Sequence, residues 1–388
     1  MNKITVVQSN KAYFPSTNEA MEAYFPRIGG IEIVVQQLAE GFAQRFNDSS
    51  YVVTCSKDFQ TYSEKRNGVS IISTGTLGRI ASLPISPSYP FHLLQQTGDI
   101  LQLHEPFLLG GMTYLTFLKQ AKKRFKRLVV WWHSDIIRQK ALAPLYTPLL
   151  NAVLHEADAI IVATPKHITS SKFLGNFSAK CHVVHYGVDI SKFKETLESE
   201  TKATYWREKY NKPIILFTGR LVYYKGVKYL VSAMENVPDA HLVIVGKGPL
   251  REELEEIAVK CPNNVSFIPF LSETDLIAMY KACEIFVLPS VENSEGFGIV
   301  QIEAMACGKP VITTDLETGV TYVNQHGKTG LVVPKCNSQA LTDAINELLA
   351  NSAMRSEMGE VAKSRVFKEF TVEGMVDKTL DVYNKILS

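Results

Sequence analysis

Short β-branched runs, apolar on both faces, recur along the chain, and each is followed by a stretch with helical apolar spacing. In the first half the runs are Ile4–Val7, Tyr51–Thr54, Val69–Ile72, Asp99–Leu103, Leu128–Trp132, Ala159–Ala163 and His182–His185. Two apolar faces are what the strands of a covered parallel sheet require. The second half repeats the rhythm with Ile214–Thr218, Leu242–Val245, Val265–Ile268, Ile285–Pro289, Val311–Thr313 and Leu331–Val333, and with helices such as Pro249–Lys260 and Ser338–Leu349. Two such series predict an α/β protein of two doubly wound parallel-sheet domains rather than one barrel, because the polar stretch Tyr186–Lys212 interrupts them and reads as a linker. The expected domains are residues 1–190 and 191–370. The last stretch, 371–388, is an amphipathic helix through Val372, Met375, Val376, Leu380, Val382, Tyr383 and Ile386. It has no strand of its own to cover, and either crosses back to the first domain or packs on the second.

Length and composition support this picture. A chain of 388 residues has room for two domains, and 46% hydrophobic, 21% charged and 10% aromatic residues exclude disordered, fibrous and disulfide-scaffold classes. No apolar run approaches the ~20 residues of a membrane span. The opening MNKITVVQSN leads into a strand without an export signal, so the expected location is cytoplasmic. Cys55, Cys181, Cys261, Cys283, Cys307 and Cys336 show no metal or redox spacing and read as reduced, structural thiols. Residues 1–190 carry 19 Lys/Arg against 13 Asp/Glu, and residues 191–388 carry 22 against 26. A basic first half is compatible with an anionic surface as partner and equally with ordinary solvated charge.

The densest candidate chemistry is Pro289–Ile312, PSVENSEGFGIVQIEAMACGKPVI. Glu295 falls in the loop after a strand, where open α/β sheets bind ligands, and Glu303 lies about two turns into the following helix. Between them, Gly296, Phe297 and Gly298 let backbone N–H groups at the helix start approach an anion. Two carboxylates can then face one ligand that carries phosphate and hydroxyl groups. An isolated pair at this spacing would more often be solvated, but the surrounding glycines and the CGKPV turn argue otherwise.

PS…EGFG…EAMACGKPVI resembles the signature of the family 4 retaining nucleotide-sugar glycosyltransferases. Supporting elements stand in order over most of the chain: Gly29-Gly30, His133, Tyr186-Gly187-Val188-Asp189, Gly219-Arg220 with Lys225-Gly226, and Val245-Gly246-Lys247-Gly248-Pro249. The stretch WHSDIIRQK from Trp132 is most similar to bacterial mannosyl- and rhamnosyl-type enzymes of surface polysaccharide assembly. The resemblance implies the GT-B fold, two Rossmann-like domains facing a central cleft. It implies that Arg220 and Lys225 neutralise a leaving diphosphate, a task that fits a guanidinium and an ammonium just past a strand end. With Glu295 and His133, the latter reaching the transferred sugar, they are the expected catalytic residues. Donor contacts are implied for Gly29, Gly30, Gly219, Gly246, Lys247, Phe270, Leu271, Phe297, Gly298, Ile299, Val300 and Glu303, with the nucleobase held largely by backbone. A lone strand-end His is more often structural, and Gly29-Gly30 on spacing alone is equally a plain turn.

No D-x-D occurs in the chain, and Arg and Lys supply the charge that a divalent ion would bring. No metal site and no cofactor are therefore expected. No carboxylate stands out as a covalent nucleophile, so front-face retention is the expected course. The expected partners are a nucleotide-diphosphate sugar, GDP-mannose before a UDP-sugar, and a glycan or polyprenyl-diphosphate-linked glycan acceptor; nucleic acid is not among them.

Two features depart from the family pattern. The interval from Ser9 to Ile28, rich in Tyr, Phe, Pro and Asn, is longer than the usual glycine loop and reads as an acceptor-side loop or as a disordered segment. Lys119–Arg127, KQAKKRFKR, reads as a helix on an anionic membrane, at the inner face of the plasma membrane, or as a solvated helix face. A nucleotide-sugar 2-epimerase of the same architecture, or a non-catalytic sugar-nucleotide-binding protein, is the alternative function. A dehydrogenase is excluded by the lack of G-x-G-x-x-G after the first strand.

Overall fold

The computed structural model describes residues 3–13, 29–47, 49–80, 83–135, 143–261 and 264–388. The Ser9–Ile28 interval beyond Tyr13 and the residues after Asp135 in WHSDIIRQK lie outside the described residues. Among the described residues, one unit comprises residues 3–13, 29–186 and 372–388, and the other Gly187–Thr371.

The first unit is built on an eight-stranded sheet of order β10-β9-β8-β7-β1-β2-β4-β3. Its strands are β1 (Val6–Ser9), β2 (Ser50–Cys55), β3 (Tyr62–Arg66), β4 (Val69–Thr74), β7 (Gly98–Glu105), β8 (Phe125–Trp132), β9 (Ala159–Val162) and β10 (Cys181–Val183). All pair in parallel except β3, which runs antiparallel to β4, while β5 (Gly78–Ile80) and β6 (Leu83–Ile85) pair only with each other. β3 reads YSEKR and is exposed almost throughout, so it lacks the apolar faces that reveal the other strands. Where the apolar pattern places the first strand at Ile4–Val7, the ladder runs over Val6–Ser9, and β7 extends past Leu103 to His104 and Glu105. The additional residues are polar, and all of them are buried.

The second unit has a six-stranded parallel sheet of order β13-β12-β11-β14-β15-β16. Here the strands are β11 (Ile214–Thr218), β12 (His241–Val245), β13 (Val265–Ile268), β14 (Ile285–Leu288), β15 (Val311–Thr314) and β16 (Gly330–Val333). In chain order this is 3-2-1-4-5-6, the Rossmann arrangement, and the first sheet repeats it with β3 added at one edge and β10 at the other. Each sheet therefore has a switch point at its centre, between β1 and β7 in one and between β11 and β14 in the other.

Two segments differ from their sequence reading. The expected linker Tyr186–Lys212 contains a regular helix, Leu197–Tyr210, closed at its start by the reciprocal Thr196–Ser199 bonds and ended by Asn211 in the left-handed region. It buries Ala203 and Trp206 against the Glu273–Ala282 helix, and its remaining faces are polar enough to mimic a linker. Lys119–Arg127 is not one basic helix: the helix Leu118–Arg124 ends where β8 begins, and Ala121 and Phe125 enter the core. Lys122 pairs with Glu156 at 2.7 Å, Lys126 with Asp99 at 2.7 Å and Arg127 with Asp158 at 3.6 Å, which leaves Lys119, Lys123 and Arg124 as the exposed charges of this stretch without an ion pair among the described residues.

The terminal helix, Val372–Leu387, belongs to the first unit, where it packs on the Gly30–Phe46 helix and on β8. Phe42 and Tyr383 meet with ring centroids 5.6 Å apart, Arg45 pairs with Asp377 at 2.6 Å, and Arg127 Nε donates to the Ile386 carbonyl at 2.6 Å. The closest approach is at Gly41, where an added Cβ would lie 2.4 Å from Val376 Cγ2. Gly41→Ala should therefore destabilise the chain by ~1 kcal/mol, although alanine is the better helix former by about that amount. In a Val376→Ala background the same substitution should become stabilising. Thermal melts of the four proteins check the change of sign, and an equal effect in both backgrounds would place the strain elsewhere.

Candidate active site

In the second unit the chemistry gathers at the carboxyl ends of β11 and β14, the switch point where open α/β sheets bind ligands. The loop after β11 carries Gly219, Arg220 and Lys225; the loop after β14 carries Glu295. Lys225 Nζ lies 2.5 Å from Glu295 Oε2, with both side chains about nine-tenths buried. Ser290 Oγ donates to the same carboxylate oxygen at 3.2 Å, and Thr314 Oγ1 donates to the Ser290 carbonyl. The two loops are joined through backbone as well, since Val291 N–H donates to the Tyr224 carbonyl at 2.8 Å. Gly226, at φ +62°, makes this approach possible: a Cβ there would stand 2.1 Å from the Pro289 carbonyl oxygen. Arg220 is half-buried and donates to the Tyr224 hydroxyl at 2.9 Å. Among the described residues its guanidinium makes no ion pair, so its charge is not neutralised by a neighbouring carboxylate.

The neighbouring strand ends complete the rim. Gly219 N–H donates to the Val245 carbonyl at 3.0 Å, Gly246 N–H to the Ile268 carbonyl at 2.8 Å, and Leu221 N–H to the Lys247 carbonyl at 2.9 Å. Phe270 and Leu271, both partly exposed, follow β13. Gly298, at φ +72°, starts the Ile299–Ala306 helix, where Leu288 Cδ2 would lie 2.6 Å from any Cβ. Ile299 and Val300 occupy the first turn, whose N–H groups have no acceptor within the helix. Phe297 packs its ring on Phe370, centroids 5.9 Å apart, which leaves its main chain as what it can offer a ligand.

Glu295 and Glu303 hold different partners. Glu303 Oε2 accepts from the Tyr280 hydroxyl at 2.7 Å, and that hydroxyl is 2.8 Å from Thr218 Oγ1, one residue before Gly219. Burial raises the Glu303 carboxyl to about 7, with the Tyr280 hydrogen bond opposing the rise. Ser290, Tyr280, Thr218 and Tyr224 escaped the sequence reading; Ser290, Thr218 and Tyr224 lie within three residues of a strand end or a predicted site residue, Tyr280 comes from the Glu273–Ala282 helix, and none is distinctive by type.

In the first unit His133 follows β8, Gly29 caps and Gly30 starts the Gly30–Phe46 helix, and Gln8, Gln102 and His104 lie on β1 and β7. Gly29 N–H is already taken at 2.9 Å by Glu32 Oε2, so the expected anion cradle contains the chain's own carboxylate. His133 is 4% exposed, with Nδ1 2.6 Å from the Tyr186 hydroxyl and Nε2 2.9 Å from His104 Nδ1. Its ring therefore has both nitrogens engaged within the unit. Burial holds His133 well below the usual imidazole range and His104 down at about 3, so both are neutral. Glu105, which ends β7, is pushed up to about 7 by burial while the Phe107 N–H opposes this, and its Oε2 has no hydrogen-bond partner. The polar interruptions Gln8-Ser9-Asn10 and Gln102…His104-Glu105 in apolar strands were the available signal for this cluster.

Residues 28–192 match the family described as Glycosyltransferase Family 4, and residues 199–365 that described as Glycosyl transferases group 1. The chain is 32% identical to O-antigen chain mannosyltransferase C of Escherichia coli over 385 residues, which are 98% of each chain. It is 33% identical to the D-rhamnosyltransferase WbpZ of Pseudomonas aeruginosa over 89% of each. Among solved structures, Anabaena HepE in complex with UDP superposes with a TM-score of 0.78 at 17% identity, covering 98% of this chain and 100% of that one. The chain belongs to glycosyltransferase family 4 and has its GT-B fold of two Rossmann-like domains.

The raised Glu303 carboxyl fixes the sign of a pH effect. Its folded value of about 7 exceeds the unfolded 4.5, so the stability it contributes is full below the unfolded value and is lost as pH rises through 7. Glu303→Gln removes that titration. Its melting temperature relative to wild type should rise by roughly 2–4 °C between about pH 5 and about pH 8. A constant difference over that interval would show that Glu303 ionises at its ordinary value.

Proposed function

We propose that this glycosyltransferase moves a hexose, with retention, from GDP-mannose to a sugar hydroxyl of a lipid-linked glycan in surface polysaccharide assembly. The observation that carries the reading is the buried Lys225–Glu295 pair beside Arg220, at the switch point of the second unit. Glu295 holds the ammonium in one place, and Lys225 and Arg220 together supply the charge that a departing diphosphate needs. The mannosyl donor is supported by 32% identity, over nearly the full length, to an enzyme named as an O-antigen chain mannosyltransferase. In the proposed reaction the bond between C1 and the diphosphate oxygen breaks first. The acceptor oxygen bonds to C1 on the same face, and its proton passes to the leaving phosphate. Glu303, in its ionised form, accepts hydrogen bonds from ribose hydroxyls, and the first-turn N–H groups of Ile299 and Val300 take phosphate oxygens. His133 stands at the transferred sugar as a neutral ring, which adds no positive charge beside an oxocarbenium-like centre. Because the cationic side chains neutralise the leaving group, no divalent ion is required.

Arg220→Ala and Lys225→Ala should each lower turnover by ~10²–10³ in folded protein, and wild-type activity should persist under exhaustive chelation. Turnover is measured on a mannosylated acceptor analogue, and NMR of the product gives its anomeric configuration. Undiminished turnover in either variant, or an inverted product, would remove the basis of the mechanism. A thermal-shift comparison of GDP with UDP tests the donor separately: a larger stabilisation by UDP would replace GDP-mannose with a UDP-sugar.

The same proposal places the first unit on an anionic membrane through the exposed charges Lys119, Lys123 and Arg124. Each such charge contributes ~1 kcal/mol near an anionic surface. Reversing all three to Glu should abolish sedimentation with anionic liposomes while turnover of a soluble acceptor stays at the wild-type level. Equal liposome binding by the triple variant would reduce this surface to a solvated one.

A further inference from the structure

The buried polar layer of the first unit forms one continuous chain: Tyr186, His133, His104, then Gln8 and Gln102, then Tyr383 of the terminal helix. Two histidines in series leave two possible directions for its hydrogens, and the groups at the far end choose between them. His104 Nε2 lies 2.8 Å from Gln8 Oε1 and 3.0 Å from Gln102 Nε2. Gln8 is oriented by a backbone carbonyl, because its Nε2 faces the oxygen of Val35 at 3.5 Å, so its Oε1 is turned toward His104. Gln102 is oriented in turn by the Tyr383 hydroxyl, which donates to its Oε1, and its Nε2 donates to Gln8 Oε1 at 3.3 Å. An acceptor 2.8 Å from His104 Nε2 is favourable only if that nitrogen carries the hydrogen. His104 Nδ1 is then an acceptor, and it receives the Nε2 hydrogen of His133. His133 Nδ1 is left as an acceptor and takes the Tyr186 hydroxyl hydrogen.

We propose that Gln8 is a positioning residue that holds His133 as its Nε2–H tautomer in a single ring orientation. This rests on the reading that His133 stands at the transferred sugar. The chain is a relay of orientation rather than a proton wire, because the amides at its far end do not pass protons on. Burial, which depresses both imidazoles, is consistent with hydrogens that stay where they are. Removing the Gln8 acceptor reverses the preference: Gln102 Nε2 then donates to His104 Nε2, His104 Nδ1 donates to His133 Nε2, and His133 Nδ1–H turns to the Tyr186 oxygen.

The test uses the full-length protein with ¹⁵N-labelled histidine, whose long-range ¹H–¹⁵N spectra report which ring nitrogen is protonated, with His104→Asn and His133→Asn assigning the signals. Wild type should show both rings as Nε2–H, and Gln8→Leu should convert both to Nδ1–H. Gln8→Leu should also lower kcat about tenfold, with KM changed by less than roughly threefold. Tyr383→Phe should keep the wild-type tautomers, since Gln8 still accepts from His104. If wild type shows His133 as Nδ1–H, the proposal is wrong, whether or not Gln8→Leu folds. Unaltered tautomers and kcat in folded Gln8→Leu would overturn it equally. Full activity in His133→Ala would instead defeat the reading of His133 at the sugar while leaving the spectra to stand.

Discussion

Lys225 and Glu295 come from loops 70 residues apart in the chain, and their contact depends on those loops being brought within backbone hydrogen-bonding distance. A buried ammonium and carboxylate each carry a desolvation cost of several kcal/mol, and only close pairing with further hydrogen bonds offsets it. The surroundings meet that requirement: Ser290 donates to the carboxylate, Thr314 fixes Ser290, and Gly226 lets the backbones touch. The arrangement reaches back to β11 and β14, whose adjacency puts the two loops at one crevice. Disturbing any member leaves a charge buried without its partner, so the fold of these loops and their charge state form one problem with one solution.

The first unit meets the same demand with neutral groups. Its switch point brings together Gln102, Gln8, His104, His133 and Tyr186, each paired with the next, and the stacked rings of His104, Trp131 and His133 lie within 13° of parallel. A neutral network of this kind is stable only when every member is satisfied, and it fixes ring orientation more tightly than apolar packing would. Tyr383, from the terminal helix, closes the far end. Its hydroxyl reaches a glutamine 281 positions earlier in the chain.

The two sheets differ in how far they could be read from sequence. The second unit was largely legible: β11 and β13 run over Ile214–Thr218 and Val265–Ile268 as read, because short runs rich in β-branched and aromatic residues between proline, glycine and polar flanks carry a clear strand signal. The placing of Glu295 before a helix and of Glu303 inside it was legible as well, because the glycines and the apolar spacing mark where that helix starts. The first unit hid its chemistry inside its strands. Gln8 and Ser9 look like the end of β1, and His104 and Glu105 like the end of β7, because a polar residue in an apolar run ordinarily marks the return to solvent. Here Gln8, Ser9 and His104 are each buried with a partner from another strand or helix, information that no local window contains, while Glu105 is buried with one carboxylate oxygen unpartnered. The helix Leu197–Tyr210 failed in the opposite direction, as a packed element whose exposed faces dominate its composition.

Glu303 shows how that difference bears on chemistry. A carboxyl can bind hydroxyl groups in either protonation state, but only the ionised form is acceptor-only at both oxygens, and it accepts the more strongly. Tyr280 donates to it and so favours ionisation, while burial opposes this and raises the carboxyl to about 7. A ligand that brings two hydroxyl donors adds to the Tyr280 side of the balance and draws the group into its charged form as it binds. The carboxyl is thus most costly to ionise when the crevice is empty and least costly when a diol fills it.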